Sequence, residues 1–225
     1  KMSYASHINP WPYNVMTVIT GFVPYTLLVL MSLFVLRYRK PSFGSLGDAW
    51  ARFRTYIRTM DDARLFSLMS FVVIFVFYCI PKSKRSVYLL PVYPFLAYFL
   101  AEYILWLRDH HRRVLDWFGW VLASMAALLS LVFIVVRLGG IPESWMCVKD
   151  YNANLLMLRA LRDTSPTWPE WGAYFAPIVA IIFFIVGRKQ TNRLVPAVIT
   201  LIFSIFFALD GVYQPIVLNT KSDKF

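Results

Sequence analysis

The chain has 225 residues, of which 59% are hydrophobic, and its mean hydropathy is +0.57. Its formal net charge is +11, with 23 Lys and Arg against 12 Asp and Glu. The apolar residues fall in long runs that the core of a soluble protein of this size does not need, which favours a membrane protein. Membrane proteins carry excess cations on their inner face, so the charge calls for no nucleic-acid partner. The sequence also lacks a glycine-rich nucleotide loop, a zinc-type cysteine pair and an internal repeat.

Six apolar runs have the length, or nearly the length, of membrane-spanning helices. A spanning helix needs about 20 residues at a rise of about 1.5 Å each. The predicted spans are 13–36, 65–80, 87–107, 117–136, 171–186 and 194–209. Three of them hold only 16 residues and would have to recruit flanking positions. The sequence therefore predicts an all-α, polytopic transmembrane helix bundle of about six spanning helices plus short interfacial helices, forming one transmembrane domain over residues 1–225.

Two segments outside these runs have the apolar spacing of amphipathic helices. In the loop 41–63, apolar residues from Trp50 to Met60 recur at three- and four-residue intervals with arginines between them. This pattern predicts an interfacial helix held to anionic lipids. In the segment 138–170, three leucines predict a helix over 154–162 that lies on the bilayer surface. The alternative for this second helix is a lid over the acceptor side of a cavity.

The distribution of Lys and Arg among the loops predicts the orientation. The loops on one side carry 13 of these residues, and they are 37–64, 108–116 and 187–193. The opposite side carries 10 Lys and Arg residues. Without Arg137 and the three cations of the long segment 138–170, it carries 6. The positive-inside rule counts short loops near the spans, so the side with 13 is predicted to be cytoplasmic. Residues 81–86 and 138–170 are then external.

A basic cluster lies on the external side, where the positive-inside rule disfavours it. Three of the six external cations that remain in the count are Lys82, Lys84 and Arg85. A cationic patch at the outer surface suits an anionic lipid headgroup or a phosphate-bearing substrate, because the guanidinium fork holds two phosphate oxygens at once. On charge alone, a solvated loop that touches lipid phosphates without specificity is an equal alternative. Pro91 and Pro94 then open the third span in an extended or tightly turned entry.

Residues 80–94 resemble a segment of a known enzyme family. Their pattern P-x-S-K/R-x-x-x-Y-x-L-P-x-x-P is similar to one in bacterial polytopic glycosyltransferases of GT-C architecture. These enzymes are related to the lipid A aminoarabinose transferase and to protein O-mannosyltransferases. A second pattern, H-x-x-P-x-x-Y over residues 7–13 followed by a G-x-x-P-W-like stretch at 21–25, is similar to another part of that family, with Tyr25 in place of the family's Trp. Together the matches cover about residues 7–100.

The resemblance implies a function and a set of site residues. Such enzymes transfer a sugar from a polyprenyl-phosphate donor to a lipid or protein acceptor on the outer face of the bacterial cytoplasmic membrane. Lys82, Lys84, Arg85 and Tyr88 would face the lipid-phosphate site, where fixed cations stabilise the negative charge that develops on the leaving group. His7 would help to hold a divalent metal ion.

The resemblance also implies that part of the enzyme is missing from this chain. The family's acidic catalytic residues lie in an external loop near the start of the full protein. They are expected upstream of Lys1, so the chain is predicted to be the C-terminal or an internal part of a larger transferase, and inactive alone. The alternative function is a non-enzymatic membrane module, such as a lipid transporter subunit, in which the cations form a docking site.

Other polar residues receive structural interpretations. Asp210 is predicted to end the sixth span and face water, and Glu102 to snorkel or to pair with a cytoplasmic arginine. The sequence Asp-His-His at 109–111 is predicted to be a solvated loop, because two adjacent histidines cannot face one metal ion from a regular helix. Cys79 and Cys147 both fall on the external side, where a disulfide can persist, but their spacing leaves open whether they are bonded.

The predicted orientation can be tested with cysteine substitutions at Ser83 and His110. A membrane-impermeant thiol reagent should label Ser83→Cys in intact cells and should label His110→Cys only after the membrane is opened, because the two positions are predicted to lie on opposite sides. Labelling of position 110 but not of position 83 in intact cells would reverse the orientation and remove the basic cluster from the outer surface.

Overall fold

The structure is a computed structural model that describes residues 12–36, 46–81, 86–145, 151–163 and 168–222. Within these ranges the chain is almost entirely helical and contains no strand. The α-helices are α1 (Pro12–Gly21), α2 (Tyr25–Val35), α3 (Leu46–Arg58), α4 (Asp62–Cys79), α5 (Tyr93–His110), α6 (Arg112–Arg137), α7 (Tyr151–Asp163), α8 (Trp168–Gly187) and α9 (Thr191–Ser222). Two 3₁₀ helices cover Ser86–Val92 and Glu143–Trp145. The predicted all-α fold is confirmed for this part of the chain.

The helices form two compact units, and most of them are apolar. The first unit is Lys1–His110 and the second is His111–Phe225. Four segments are long and apolar enough to cross a bilayer, and they are Asp62–Cys79, Ser86–His110, Arg112–Arg137 and Thr191–Gly211. The bent pair α1 and α2 makes a fifth if it is one span, and Trp171–Gly187 is a shorter apolar helix. These helices are compatible with a membrane-embedded protein, while the count of six spans stays a prediction.

The predicted first span, 13–36, is wrong as a single continuous helix. The chain breaks between α1 and α2, whose axes differ in direction by 94°. Pro24 accounts for the break, because proline has no amide hydrogen to continue the helix and its ring clashes with the carbonyl four residues earlier. Broken helices are tolerated at membrane depth where other parts of the protein cover the freed backbone groups. The two short helices therefore form a corner in the first unit.

The polar ends of several helices reach beyond the predicted apolar runs. The predicted loop 108–116 is wrong in its extent, because α5 extends to His110 and α6 begins at Arg112. Its Asp-His-His sequence at 109–111 is exposed, as predicted. The first turn of α6 is polar but has partners within the second unit. Arg112 donates a hydrogen bond to the carbonyl of Arg188, and Asp116 accepts one from the Arg188 guanidinium at 3.1 Å. These bonds let the helix begin before its apolar run.

The sequence placed Asp210 at the end of the sixth helix, but the helix is longer than predicted, while the apolar span within it ends at Gly211. Helix α9 continues to Ser222, and Asp210 is exposed within it. Contact with α8 continues past the apolar run, since a β-carbon on Gly211 would lie 2.8 Å from the β-carbon of Ala173. This close approach supports the helix where hydropathy alone predicted its end.

Both predicted amphipathic helices are present as α3 and α7. Helix α3 exposes 66% of Trp50, as expected for an apolar face without a protein partner. Helix α7 is fastened to its own unit, because Leu158 is buried and the carbonyl of Leu161 accepts a hydrogen bond from Arg137 at 3.2 Å. The positions of both helices on a bilayer surface stay predictions.

Helices α6, α8 and α9 pack closely at small residues. Gly119 of α6 is buried, and the ring of the fully buried Phe184 from α8 occupies the place where a β-carbon of residue 119 would be. A β-carbon on Gly187 would lie 3.3 Å from the β-carbon of Ala197 in α9. In hydrocarbon, helices are held together by close packing rather than by the hydrophobic effect, so small side chains at the contacts are favoured.

We expect Gly119→Ala to lower the free energy of unfolding by about 1–3 kcal/mol, because the added methyl group must displace the buried Phe184 ring. The matched change Gly172→Ala in α8 places a methyl group 3.9 Å from Phe207, an ordinary contact, and should leave stability unchanged or slightly higher. Reversible unfolding of the detergent-solubilised protein, followed by circular dichroism, measures both variants. Equal stabilities would contradict the close packing of Phe184 on Gly119.

Candidate functional site

One predicted site residue, Tyr88, lies within the described residues. It belongs to the 3₁₀ helix Ser86–Val92, which gives the predicted tight entry to the third span. Its ring is 42% exposed and stacks on Tyr78 of α4, with 5.9 Å between centroids and 19° between planes. Tyr88 is therefore held at the C-terminal end of α4, next in sequence to the basic cluster. The other predicted site residues lie outside the described residues, and they are His7, Lys82, Lys84 and Arg85.

A buried asparagine fastens α1 to the same end of α4. Asn14 is only 2% exposed, and its Nδ2 donates a hydrogen bond of 2.8 Å to the carbonyl of Tyr78. The same nitrogen lies 3.5 Å from the Sγ of Cys79, which is a free thiol. The last carbonyls of a helix have no partner within it, so this bond satisfies a group that would otherwise be unpaired. Cys147, the other member of the possible disulfide, lies outside the described residues.

The start of α5 fills the corner between α1 and α2. The ring of Tyr93 stacks on Phe22, with 5.4 Å between centroids. Its hydroxyl donates to the carbonyl of Thr17 at 3.4 Å and occupies the place where a β-carbon of Gly21 would be. Only glycine leaves room for this approach. Tyr93 thus covers backbone groups near the point where the helix breaks.

An apolar cavity of about 310 Å³ opens beside this corner. It lies between the α1–α2 break and one face of α5, and its lining residues are Val18, Ile19, Phe22, Tyr25, Thr26, Val29, Leu96, Phe99, Leu100 and Tyr103. Two of the three hydroxyl groups in the lining have protein partners, because Thr26 donates to the carbonyl of Ile19 at 2.6 Å and Tyr103 donates to Ser32. The cavity therefore favours a hydrocarbon ligand over a polar one.

The cavity extends along α5 away from the 3₁₀ helix Ser86–Val92. Its first lining residue on this helix, Leu96, follows Tyr93 by one turn, and its last, Tyr103, lies two turns further on. At a rise of about 1.5 Å per residue, the cavity covers roughly 5 to 15 Å of helix beyond Tyr93. A lipid whose headgroup lies near Tyr88 would extend its chain in this direction.

The acidic residue Glu102 of the first unit is already engaged in an ion pair. Glu102 of α5 lies 2.8 Å from the guanidinium of Arg64 in α4 and accepts a hydrogen bond of 3.0 Å from Tyr98. The predicted pairing of Glu102 with an arginine is confirmed, and this carboxylate is not a free base. Among the described residues, no group of three His, Cys, Asp or Glu side chains is arranged to hold a metal ion.

Sequence reasoning missed a polar cluster in the second unit, formed by Arg112, Asp116, Trp120, Arg188 and Thr191. Its members were assigned to solvated loops or to an apolar run. A signal existed in the sequence. The predicted loops 108–116 and 187–193 contain many cations and only two acidic residues, Asp109 and Asp116. An isolated carboxylate among cations is expected to form an ion pair.

No family model, no curated protein and no solved structure matches the chain. The resemblance of residues 80–94 to a glycosyltransferase segment therefore stays a prediction, and the function has to be argued from the site itself.

We expect Asn14→Ala to lower the free energy of unfolding by about 1–3 kcal/mol, because it leaves a carbonyl of α4 without its partner. It should also speed the reaction of Cys79 with a thiol reagent, since the contact at its sulfur is lost. The control is Thr20→Val in α1, whose hydroxyl is exposed and bonds only to carbonyls of its own helix. Equal thiol reaction rates in Asn14→Ala and the parent would show that Asn14 does not fasten α1 to α4.

Proposed function

We propose that the chain is the membrane part of a glycosyltransferase of GT-C type that uses a polyprenyl-phosphate sugar donor. The acceptor would be a lipid or a protein at the outer face of the bacterial cytoplasmic membrane. The observation that carries the proposal is the apolar cavity beside the α1–α2 corner. A polyprenyl phosphate joins a long hydrocarbon chain, which the cavity suits, to an anionic headgroup, which the basic cluster in the sequence suits.

The cavity suits the hydrocarbon chain of the donor. Its volume of about 310 Å³ lies at the lower end of the range of about 300–1,000 Å³ that is usual for small-molecule pockets. It would hold the part of the chain nearest to the headgroup, while the remainder stays in the bilayer. The aromatic rings of Phe22 and Phe99 provide rigid apolar contact area at little cost in conformational entropy.

The basic cluster suits the phosphate of the donor. Its residues follow Pro81 and precede Ser86 in the sequence, so they connect α4 to the 3₁₀ helix Ser86–Val92, which the stacking of Tyr88 on Tyr78 holds against the end of α4. Fixed cations beside a low-dielectric region stabilise a phosphate more strongly than cations in water do. Arg85 would hold two phosphate oxygens, and Lys82 and Lys84 would add point charges.

The proposed reaction is a displacement at the anomeric carbon of the sugar. A nucleophilic group of the acceptor forms a bond to this carbon while the bond to the phosphate oxygen breaks, and the polyprenyl phosphate leaves with the electron pair. The proton of the acceptor passes to a carboxylate that acts as general base. Residues of this chain bind the donor, orient its phosphate and stabilise the charge that the leaving group gains. A divalent ion, if held by His7 and upstream carboxylates, would add further positive charge there.

A lipid-binding subunit without catalytic activity would use the same cavity and cluster. This second function, such as a lipid transporter subunit, rests on the same cavity and cluster and needs no catalytic base. The two functions differ in whether the intact protein that contains this chain transfers sugar.

The proposed donor site can be tested by filling the cavity. We expect Leu100→Trp to weaken binding of a polyprenyl phosphate to the purified protein by about tenfold or more, because the indole occupies the space of the hydrocarbon chain. The matched control Leu105→Trp lies on the same helix, is 44% exposed and does not line the cavity, so it should bind normally. Native mass spectrometry of the detergent-solubilised protein measures binding.

A transfer assay in the intact protein then separates the two functions. Arg85→Ala should lower sugar transfer by about tenfold or more, and Arg85→Lys should keep part of the activity. The control Arg162→Ala removes an arginine from the same predicted external side, where it pairs weakly with Glu143 at 3.8 Å, and should transfer normally.

Equal binding by both tryptophan variants would reject the cavity as the donor site. Lipid binding without any transfer by the parent protein would instead favour the non-enzymatic module.

A further inference from the structure

The second unit has a basic end, formed by the first turns of α6 and the turn between α8 and α9. Arg112 donates one hydrogen bond to the Thr191 hydroxyl at 3.1 Å and another to the carbonyl of Arg188. Arg188 in turn pairs with Asp116 of α6 at 3.1 Å. Because these bonds cross between the helices, they bring two stretches of the sequence, 112–120 and 188–193, to one place.

The cations of this end exceed its acidic groups. The described cations are Arg112, Arg113, Arg188, Lys189 and Arg193, against the single carboxylate of Asp116. Asp109, which comes shortly before α6 in the sequence, is already paired with Arg108 at 2.7 Å. Three of the cations are exposed and form no ion pair within the described part of the chain, and they are Arg113, Lys189 and Arg193. The basic end therefore carries uncompensated positive charge.

Two tryptophans place these cations at the depth of lipid headgroups. Trp117 is 66% exposed and Trp120 is 43% exposed, and both lie one to two turns inside α6 from Arg113. Tryptophan is enriched at the boundary between hydrocarbon and water, and the remainder of α6 is apolar. The guanidinium of Arg188 lies 5.0 Å from the centre of the Trp120 ring, which holds this arginine in place.

We propose that the basic end binds the headgroup of an anionic phospholipid. Arg113, Lys189 and Arg193 would contact the phosphate and the negative headgroup, while Arg112 and Arg188 hold the helices in position. Basic sites between membrane helices bind anionic lipids because several cations act on one headgroup. A zwitterionic headgroup carries a cation of its own, so it gains less from this site. The proposal uses no residue of the polyprenyl-phosphate site and does not depend on it.

Titration of the purified full chain with phosphatidylglycerol and with phosphatidylcholine, followed by native mass spectrometry, tests the site. The parent protein should bind phosphatidylglycerol more tightly. The triple variant Arg113→Gln, Lys189→Gln, Arg193→Gln should bind it at least about tenfold more weakly and should bind phosphatidylcholine as before. A variant with Arg113→Lys and Arg193→Lys should keep most of the preference, because the charges remain.

The matched control removes the same charge elsewhere. Its substitutions are Lys149→Gln, Lys221→Gln and Lys224→Gln, all outside the stretches 112–120 and 188–193. This control should keep the tightly bound phosphatidylglycerol. Equal weakening by the two triple variants, or equal affinity of the parent for the two lipids, would overturn the proposal. If the first triple variant does not fold, the single change Arg193→Gln should give a smaller loss in the same direction, and no loss would likewise overturn it.

Discussion

Helices in a hydrocarbon environment gain little by covering apolar side chains with other apolar side chains, so their contacts depend on close approach and on polar bonds. The second unit relies on close approach, as where Phe184 lies against the bare backbone of Gly119. The first unit combines polar bonds, from Asn14 to the end of α4 and from Arg64 to Glu102, with one such approach, of the Tyr93 hydroxyl to the backbone of Gly21. This requirement governs which residues can occupy the contacts in both units.

The two units differ in how much of their apolar surface they cover. In the second, 33% and 39% of the apolar windows of α6 and α9 are buried, against 6% and 11% for α4 and α5 in the first. A tightly packed group of helices suits a fixed scaffold, whereas sparse packing leaves room for hydrocarbon ligands. The cavity at the α1–α2 corner belongs to the sparse unit. The anionic-lipid site that we propose lies at the basic end of the second, more tightly packed unit.

The sequence predicted features that depend on local composition, and it failed where distant partners decide. Long apolar runs locate the helices because crossing a bilayer requires length and hydrophobicity. The break at Pro24 could have been foreseen from proline chemistry, but no local pattern indicates its 94° angle or the Tyr93 ring that stacks on Phe22 beside it. The early start of α6 could not be foreseen, because its partner Arg188 is far away in the sequence. The pairing of Glu102 was predictable, since a carboxylate near an apolar span needs a cation.

The candidate site was predictable only as a chemical type. A basic cluster next to aromatic and proline residues indicates a phosphate, but no local pattern indicates a cavity whose lining comes from α1, α2 and α5. The same limit applies to the basic end of the second unit. Its individual cations are visible in the sequence, while their grouping depends on the bonds made by Arg112.

The contacts at the two ends of α4 limit how this helix can move. One end is tied to Asn14 through the carbonyl of Tyr78, and the other is tied to Glu102 through Arg64. Its middle has few protein neighbours. These two bonds lead to different helices, α1 and α5, so a shift of α4 along its own axis would have to stretch or break at least one of them.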